Sequence, residues 1–276
     1  MKLALCQTPV TASLKENLAA MGEAVSRAAA QGAEVVCLPE MWCCPYDNAA
    51  FPKYAEPEGG ETWQSLQSAA KANGVFLVGG SVPEREDERL YNTCYVFSPE
   101  GEQLARHRKV HLFDIDVPGG QRFMESDTFT PGDRLTLFDT PYGKIGVAIC
   151  FDIRFAEWFR LMALQGAKLI LVPGAFNMTT GPAHWELILR MRAVDNQCFV
   201  AGCAPARDEN ASYVSYANSL ISDPWGTVLG RLGADAGILV QELDLGYADA
   251  IRTQIPILSG RRKDLYRLFW GEKLAF

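Results

Sequence analysis

Two distant segments of the chain carry one pattern: Gln31-Gly32-Ala33-Glu34-Val35-Val36-Cys37-Leu38-Pro39-Glu40 and Gln165-Gly166-Ala167-Lys168-Leu169-Ile170-Leu171-Val172-Pro173-Gly174. Each reads as a helix stop at a Gly, then a short apolar strand closed by a Pro. The match extends to both sides. Upstream, Lys2-Leu3-Ala4-Leu5-Cys6 answers the run from Lys144 to Cys150; downstream, Asn73-Gly74-Val75-Phe76-Leu77-Val78-Gly79-Gly80 answers Asn196-Gln197-Cys198-Phe199-Val200-Ala201-Gly202-Cys203. Each half then turns in a hairpin, at Phe97-Ser98-Pro99-Glu100-Gly101 and Ile221-Ser222-Asp223-Pro224-Trp225-Gly226, where Pro and Gly supply fixed and positive φ values. A chain that repeats strand, helix, strand, helix, strand, hairpin builds two similar sheets. Their strands are apolar on both faces, so each sheet has to be covered twice. Two sheets packed face to face with helices outside meet that need. The expectation is an α/β fold in four layers, an α-β-β-α sandwich of two pseudo-repeated halves. No Ser/Gly-rich linker divides the 276 residues, so one domain is expected over residues 1–276, with its core at about 1–246 and a tail at 247–276.

Local signals agree. Ser13 and Glu16 form a capping box ahead of a helix with Leu14, Leu18, Met21 and Val25 at helical spacing, and Gln31-Gly32 stops it. Residues 156–165 carry Trp158, Leu161, Met162 and Leu164 in a second helix. Residues 183–196 form a third, with Leu187, Ile188, Met191 and Val194 on one face.

Composition excludes several classes. A net charge of −7 with three His is wrong for a phosphate backbone partner, which needs clustered Lys and Arg. No apolar run reaches the about 18 residues of a membrane span. The start, Met1-Lys2-Leu3-Ala4, enters a strand pattern directly, so no cleavable signal peptide is expected. The eight Cys lie mostly inside apolar runs, which reads as reduced, buried thiols in a cytoplasmic protein.

Three polar residues break apolar patterns at strand ends, where α/β folds hold reacting groups. Cys150 ends the run Lys144-Ile145-Gly146-Val147-Ala148-Ile149. Alone, a buried Cys is a small hydrophobe. Glu40 follows Leu38-Pro39, and the run Met41-Trp42-Cys43-Cys44-Pro45-Tyr46 would wall its carboxylate from water, favouring a general base. Lys109 lies in Arg106-His107-Arg108-Lys109-Val110-His111. Strand alternation puts Lys109 and His107 on one side, and Arg106 and Arg108 on the other in a solvated basic patch. A thiol nucleophile, a carboxylate that takes its proton and an ammonium facing a developing oxyanion together hydrolyse an amide through a thioester. His107 and His111 are four apart, but in an extended segment that spacing does not suit a metal. Cys43-Cys44 lacks the spacing of redox or zinc sites.

With these residues in place the chain resembles the nitrilase superfamily of carbon–nitrogen hydrolases. The Glu–Lys–Cys triad of that family matches Leu38-Pro39-Glu40, Arg108-Lys109-Val110-His111-Leu112 and Ile149-Cys150-Phe151-Asp152-Ile153-Arg154-Phe155. The resemblance runs through Ser222-Asp223-Pro224-Trp225-Gly226 to Asp264-Leu265-Tyr266. It implies the nitrilase-type αββα sandwich, a homodimer or higher homo-oligomer with the C-terminal tail at the dimer interface, no metal and no cofactor. It also implies a second glutamate beside the lysine, which Glu125 in Met124-Glu125-Ser126 matches.

Within the superfamily the chain is most similar to omega-amidases, through His111-Leu112-Phe113-Asp114-Ile115-Asp116-Val117-Pro118-Gly119, the run from Pro173 to Glu186, and Pro205-Ala206-Arg207-Asp208. The implied reaction is hydrolysis of 2-oxoglutaramate and 2-oxosuccinamate to the 2-oxo diacid and ammonia. Where omega-amidases have a Phe and small or polar residues after the Glu, this chain has Trp42-Cys43-Cys44. The alternatives are a related amidase, acting on deaminated glutathione or an N-carbamoyl group, a non-catalytic binding protein, and a thiol redox protein. Substrate-binding candidates are Tyr46, Phe151, Arg154, Phe176, Thr179 and Thr180. Arg154 either receives the far carboxylate of a small anionic amide or pairs with Asp152 or Glu157. The Phe151 N–H, one residue past the nucleophile, is the expected oxyanion donor beside Lys109, and Asp152 is expected to anchor the turn.

Overall fold

A computed structural model describes residues 1–271, 273 and 274, with no description of the side chains of the last two. It has the repeated architecture. In the first sheet the strands Lys2–Gln7, Val35–Cys37 and Phe76–Val78 run parallel, followed by antiparallel Arg89–Phe97, which also pairs with Val82–Glu86 and Gln103–Arg108. In the second sheet Gly143–Val147, Ala167–Pro173 and Phe199–Cys203 run parallel, followed by antiparallel Leu220–Ser222 and Val228–Arg231. Each first strand has an antiparallel neighbour on its other side, Gly237–Glu242 for Lys2–Gln7 and Thr136–Thr140 for Gly143–Val147. The duplication read from the sequence is thus a duplication of strand order.

Alternation sorts the layers. Leu3, Leu5, Val35, Cys37 and Val78 share one core with Ile145, Val147, Leu169, Leu171 and Ala201 of the other sheet. Their neighbours Ala4, Cys6, Val36 and Leu77 pack instead against Met21, Val25, Leu66 and Ala70 of the helices Leu14–Ala30 and Glu61–Asn73. A period of two therefore puts one residue set between the sheets and the next under the helices. The helices Ala156–Leu164 and Gly181–Asn196 cover the second sheet, completing α-β-β-α.

Two local readings change. Ser13 Oγ accepts the Glu16 N–H at 3.3 Å, but the Glu16 carboxylate reaches back to the Thr11 hydroxyl, whose oxygen accepts the Ser13 N–H. The capping box closes through a third residue. In the helix Gly181–Asn196 the inward side is Trp185, Leu189, Arg192, Ala193 and Asn196, while Leu187, Met191 and Val194 are exposed and Ile188 is half-buried. The apolar stripe faces out because Arg192 is needed inside: its guanidinium donates to the carbonyls of Ile153 and Arg154, at the end of the turn after Cys150.

Candidate active site

Glu40 does not end a strand. The strand Val35–Cys37 stops earlier, and the chain turns at Met41, whose φ of +52° is left-handed. That turn is held from the next strand's end. The Ser81 N–H donates to the Pro39 carbonyl, Met41 N–H to the Ser81 hydroxyl, and the Trp42 indole N–H to the Gly79 carbonyl. Gly80, at φ +64°, passes so close that a Cβ there would lie 2.1 Å from the Pro39 oxygen.

Cys150 likewise lies beyond its strand, Gly143–Val147, and opens the 3₁₀ turn Cys150–Arg154. Its φ is +45°, a strained value for a side chain with a Cβ, of the kind found at reacting residues. Asp152 fixes the turn. This buried carboxylate accepts N–H groups of Ile149, Val110 and His111, together with His111 Nδ1 and His107 Nε2. The histidine spacing therefore serves a carboxylate, and among the described residues no group of three or more His, Cys, Asp or Glu is arranged to hold a metal ion. The Asp152 carboxyl lies well below the usual carboxylate range: burial would raise it, but the bonds from His107 and His111 outweigh that.

Lys109 follows the strand Gln103–Arg108, and alternation acts as expected. His107 and Lys109 are buried. Arg106 and Arg108 face the other way but do not form a solvated patch. They pair with the buried Glu84 at 3.1 and 2.7 Å, and Arg108 stacks on Tyr91. A buried carboxylate two strands away, on Val82–Glu86 across Arg89–Phe97, draws them in.

The turns bring four groups into one dry cluster. Lys109 Nζ is 2.9 Å from Glu40 Oε1 and 2.7 Å from Glu125 Oε2. Asn92 Nδ2 donates at 2.9 Å to Oε1 of both glutamates, and Glu125 Oε2 also accepts the Phe113 N–H. Glu40 Oε1 takes a third, longer bond from the Tyr46 hydroxyl, while Oε2 accepts the Ala175 N–H at 2.9 Å. A carboxylate oxygen offers about two lone-pair sites. Oε1 is thus filled, and Oε2 keeps a site free. Glu40 comes from the first half; Ala175 and Cys150 come from the second.

Electrostatics follow from burial. The Cys150 thiol is pushed well up, by burial first and then by the nearby Glu40 carboxylate; Lys109 and the Ala175 N–H oppose this. A thiol so placed would need a base to act as a nucleophile. For Lys109 burial works downward, but Glu125 and Glu40 outweigh it and hold the ammonium charged. Burial raises the Glu125 carboxyl; Lys109 opposes and Glu40 adds to the rise.

The other candidates divide. Tyr46 is buried, stacks on Tyr213 at 4.4 Å, and with Glu40, Ala175 and Tyr213 lines a cavity of about 270 Å³. Cys150 does not line that cavity, which meets the cluster at Glu40 rather than at the thiol. Phe151 and Phe176 flank the half-buried Arg154, their ring centres 5.4 and 5.0 Å from its guanidinium carbon. Arg154 reaches His184 Nδ1 at 3.3 Å, and no carboxylate pairs with it among the described residues. Asp152 is taken by the two histidines. Thr179 is exposed beside Gly120 and Gln121. The Thr180 hydroxyl donates to Asn177 Oδ1 where the helix Gly181–Asn196 begins, a structural use. Sequence reading passed over Asn92 and Tyr213. An Asn inside the otherwise apolar run from Leu90 to Phe97 was a visible signal; nothing local marks Tyr213.

Known proteins similar to this chain share its fold. The chain is 52% identical to omega-amidase NIT2-A of Xenopus laevis over 267 residues, 97% of each chain. Its fold is similar to that of Saccharomyces cerevisiae Nit3, a member of branch 10 of the nitrilase superfamily, with a TM-score of 0.87, 35% identity, and 95% of this chain and 96% of that one covered. It is also similar to an amidase from Nesterenkonia solved with the acetamide moiety of fluoroacetamide added covalently at its active-site cysteine (TM-score 0.79, 28% identity, 96% and 95% covered). Residues 2–253 match the carbon–nitrogen hydrolase family. The protein belongs to that family and is a hydrolase acting on carbon–nitrogen bonds.

Proposed function

We propose that this protein is an omega-amidase that converts 2-oxoglutaramate and 2-oxosuccinamate to the 2-oxo diacids and ammonia through a thioester on Cys150. The observation that carries the reading is the buried contact of Lys109 with two carboxylates beside a thiol that cannot ionise alone. The Cys150 sulfur bonds to the amide carbon as its proton passes to Glu40, whose Oε2 has the free lone pair. The carbonyl oxygen takes the negative charge between the Lys109 ammonium and the Phe151 N–H. Glu125 holds Lys109 in place. Glu40 then gives its proton to the departing nitrogen, and ammonia leaves. Next it deprotonates a water that attacks the thioester and frees the acid.

Arg154, without a carboxylate of its own, is assigned to the far carboxylate of the substrate; Tyr46, Phe151, Phe176 and Thr179 shape the pocket, and Thr180 holds the loop. The protein works as one domain over residues 1–276 in the cytoplasm, a reading supported by eight unpaired, buried cysteines. It pairs as a homodimer through the outward stripe of Leu187, Met191 and Val194 with Trp225, and through the tail at 247–276, of which residues 272, 275 and 276 lie outside the described residues. Among the described residues no helix is long and apolar enough to cross a membrane.

The test is ammonia release from 2-oxoglutaramate, with deaminated glutathione alongside. Faster turnover of the small diacid amide supports the proposal. Turnover of deaminated glutathione alone keeps the site and replaces the substrate.

A further inference from the structure

Asn92, on the strand Arg89–Phe97, is 1% exposed, and its two N–H groups are divided between Glu40 and Glu125. Its Oδ1 has no partner among the described residues. A buried acceptor left unused costs stability that an apolar side chain of the same shape would not. The amide is therefore kept for its donors. They are needed: two carboxylates share one ammonium, so the dry cluster carries a net negative charge that Lys109 alone does not balance.

We propose that Asn92 is a positioning residue of the hydrolytic site, one whose forked N–H pair holds the Glu40 and Glu125 carboxylates in register and pins Glu40 Oε1, so that Oε2 is the atom that takes the thiol proton. This rests on the catalytic reading above. The fork is fitted to both states of the first step. Before it, the charges are two carboxylates and one ammonium. After it, the sulfur–carbon bond has formed, the carbonyl pair is on oxygen, and Glu40 Oε2 carries the proton. The net charge is unchanged, and the Asn92 bond to Oε1 persists throughout. The Asn92 bond also opposes the upward push that burial exerts on Glu125. The other titratable groups facing the two carboxylates are Lys109, Cys150, Tyr46 and Tyr213, with Arg154 beyond Cys150.

The experiment compares wild type, Asn92→Leu (same shape, no donors) and Asn92→Ser (one hydroxyl donor). Two readouts are taken against pH: kcat and KM for amide hydrolysis, and the rate of Cys150 alkylation by iodoacetamide. Asn92→Leu should keep a wild-type thermal melt and KM within roughly threefold. Its kcat should fall roughly 10- to 100-fold, the range of one charge-assisted hydrogen bond. The acid limb of alkylation should move to higher pH by roughly half a unit or more, because carboxylates that lose donors hold their protons longer. Asn92→Ser should fall between, and it decides the matter if the Leu variant does not fold. A folded variant with wild-type kcat and an unmoved limb overturns the proposal. If the wild type hydrolyses no linear amide, the proposed function fails, and the alkylation profiles still decide the role of Asn92.

Discussion

Replacing Asp152 by Ala should cost about 3–5 kcal/mol of folding stability and most of the activity, although its carboxylate is committed to donors of the protein itself. Its two oxygens hold five donors: Val110 N–H at 3.2 Å, His111 N–H at 2.9 Å, His111 Nδ1 at 2.8 Å, Ile149 N–H at 3.0 Å and His107 Nε2 at 3.2 Å. A stranded buried donor costs roughly 1–3 kcal/mol. Taking the low end for the three backbone groups gives about 3 kcal/mol, and the two imidazoles bring the loss toward 5. The same bonds tie the residue after Lys109 to the residue before Cys150. Cutting them frees the ammonium from the thiol it faces, so kcat should drop while KM changes little. Urea unfolding with an ammonia-release assay measures both. The pH dependence has a definite sign. The folded Asp152 carboxyl lies below its unfolded value of about 3.9, so its contribution is present above that pH and lost as pH falls through the folded value. The stability gap between wild type and Asp152→Asn should be full near pH 7 and shrink below about pH 4. A loss under about 1 kcal/mol in Asp152→Ala, with normal kcat, would refute the brace.

Other consequences are simpler to read. Arg154→Ala should raise KM for an anionic diacid amide about 10-fold and leave neutral butyramide unaffected; equal effects on both would reduce Arg154 to packing between Phe151 and Phe176. Gly80→Ala should cost about 2–4 kcal/mol, because it combines a left-handed backbone with a Cβ driven into Pro39; it should also lower kcat by moving Glu40. Leu187→Asp should shift the protein from dimer to monomer in sedimentation, and an unchanged sedimentation coefficient would place the interface elsewhere.

The residues proposed to do the chemistry stand out in the sequence because each breaks an apolar run: Glu40 after Leu38-Pro39, Lys109 after a strand, and Cys150 after Ile149. The fold was legible because the chain repeats strand order. What could not be read was set by partners distant in sequence. Cys150 leaves the extended conformation because Asp152 binds Ile149 and the loop after Lys109, a long-range tie that no local pattern carries. The helix Gly181–Asn196 showed an apolar stripe, yet buries Arg192, because the carbonyls of Ile153 and Arg154 need donors. The ion pairs of Arg106 and Arg108 are hidden from the sequence because Glu84, buried two strands away on Val82–Glu86, lies far from them along the chain.

The central claim is an acyl group carried on Cys150. Wild-type protein mixed with 2-oxoglutaramate, quenched in acid within milliseconds and digested, should yield the Cys150 peptide bearing the acyl mass, released by hydroxylamine; Cys150→Ala should fold, form no adduct and release no ammonia. Ammonia release at the wild-type rate by Cys150→Ala, with no acyl mass on the wild-type peptide, would contradict it.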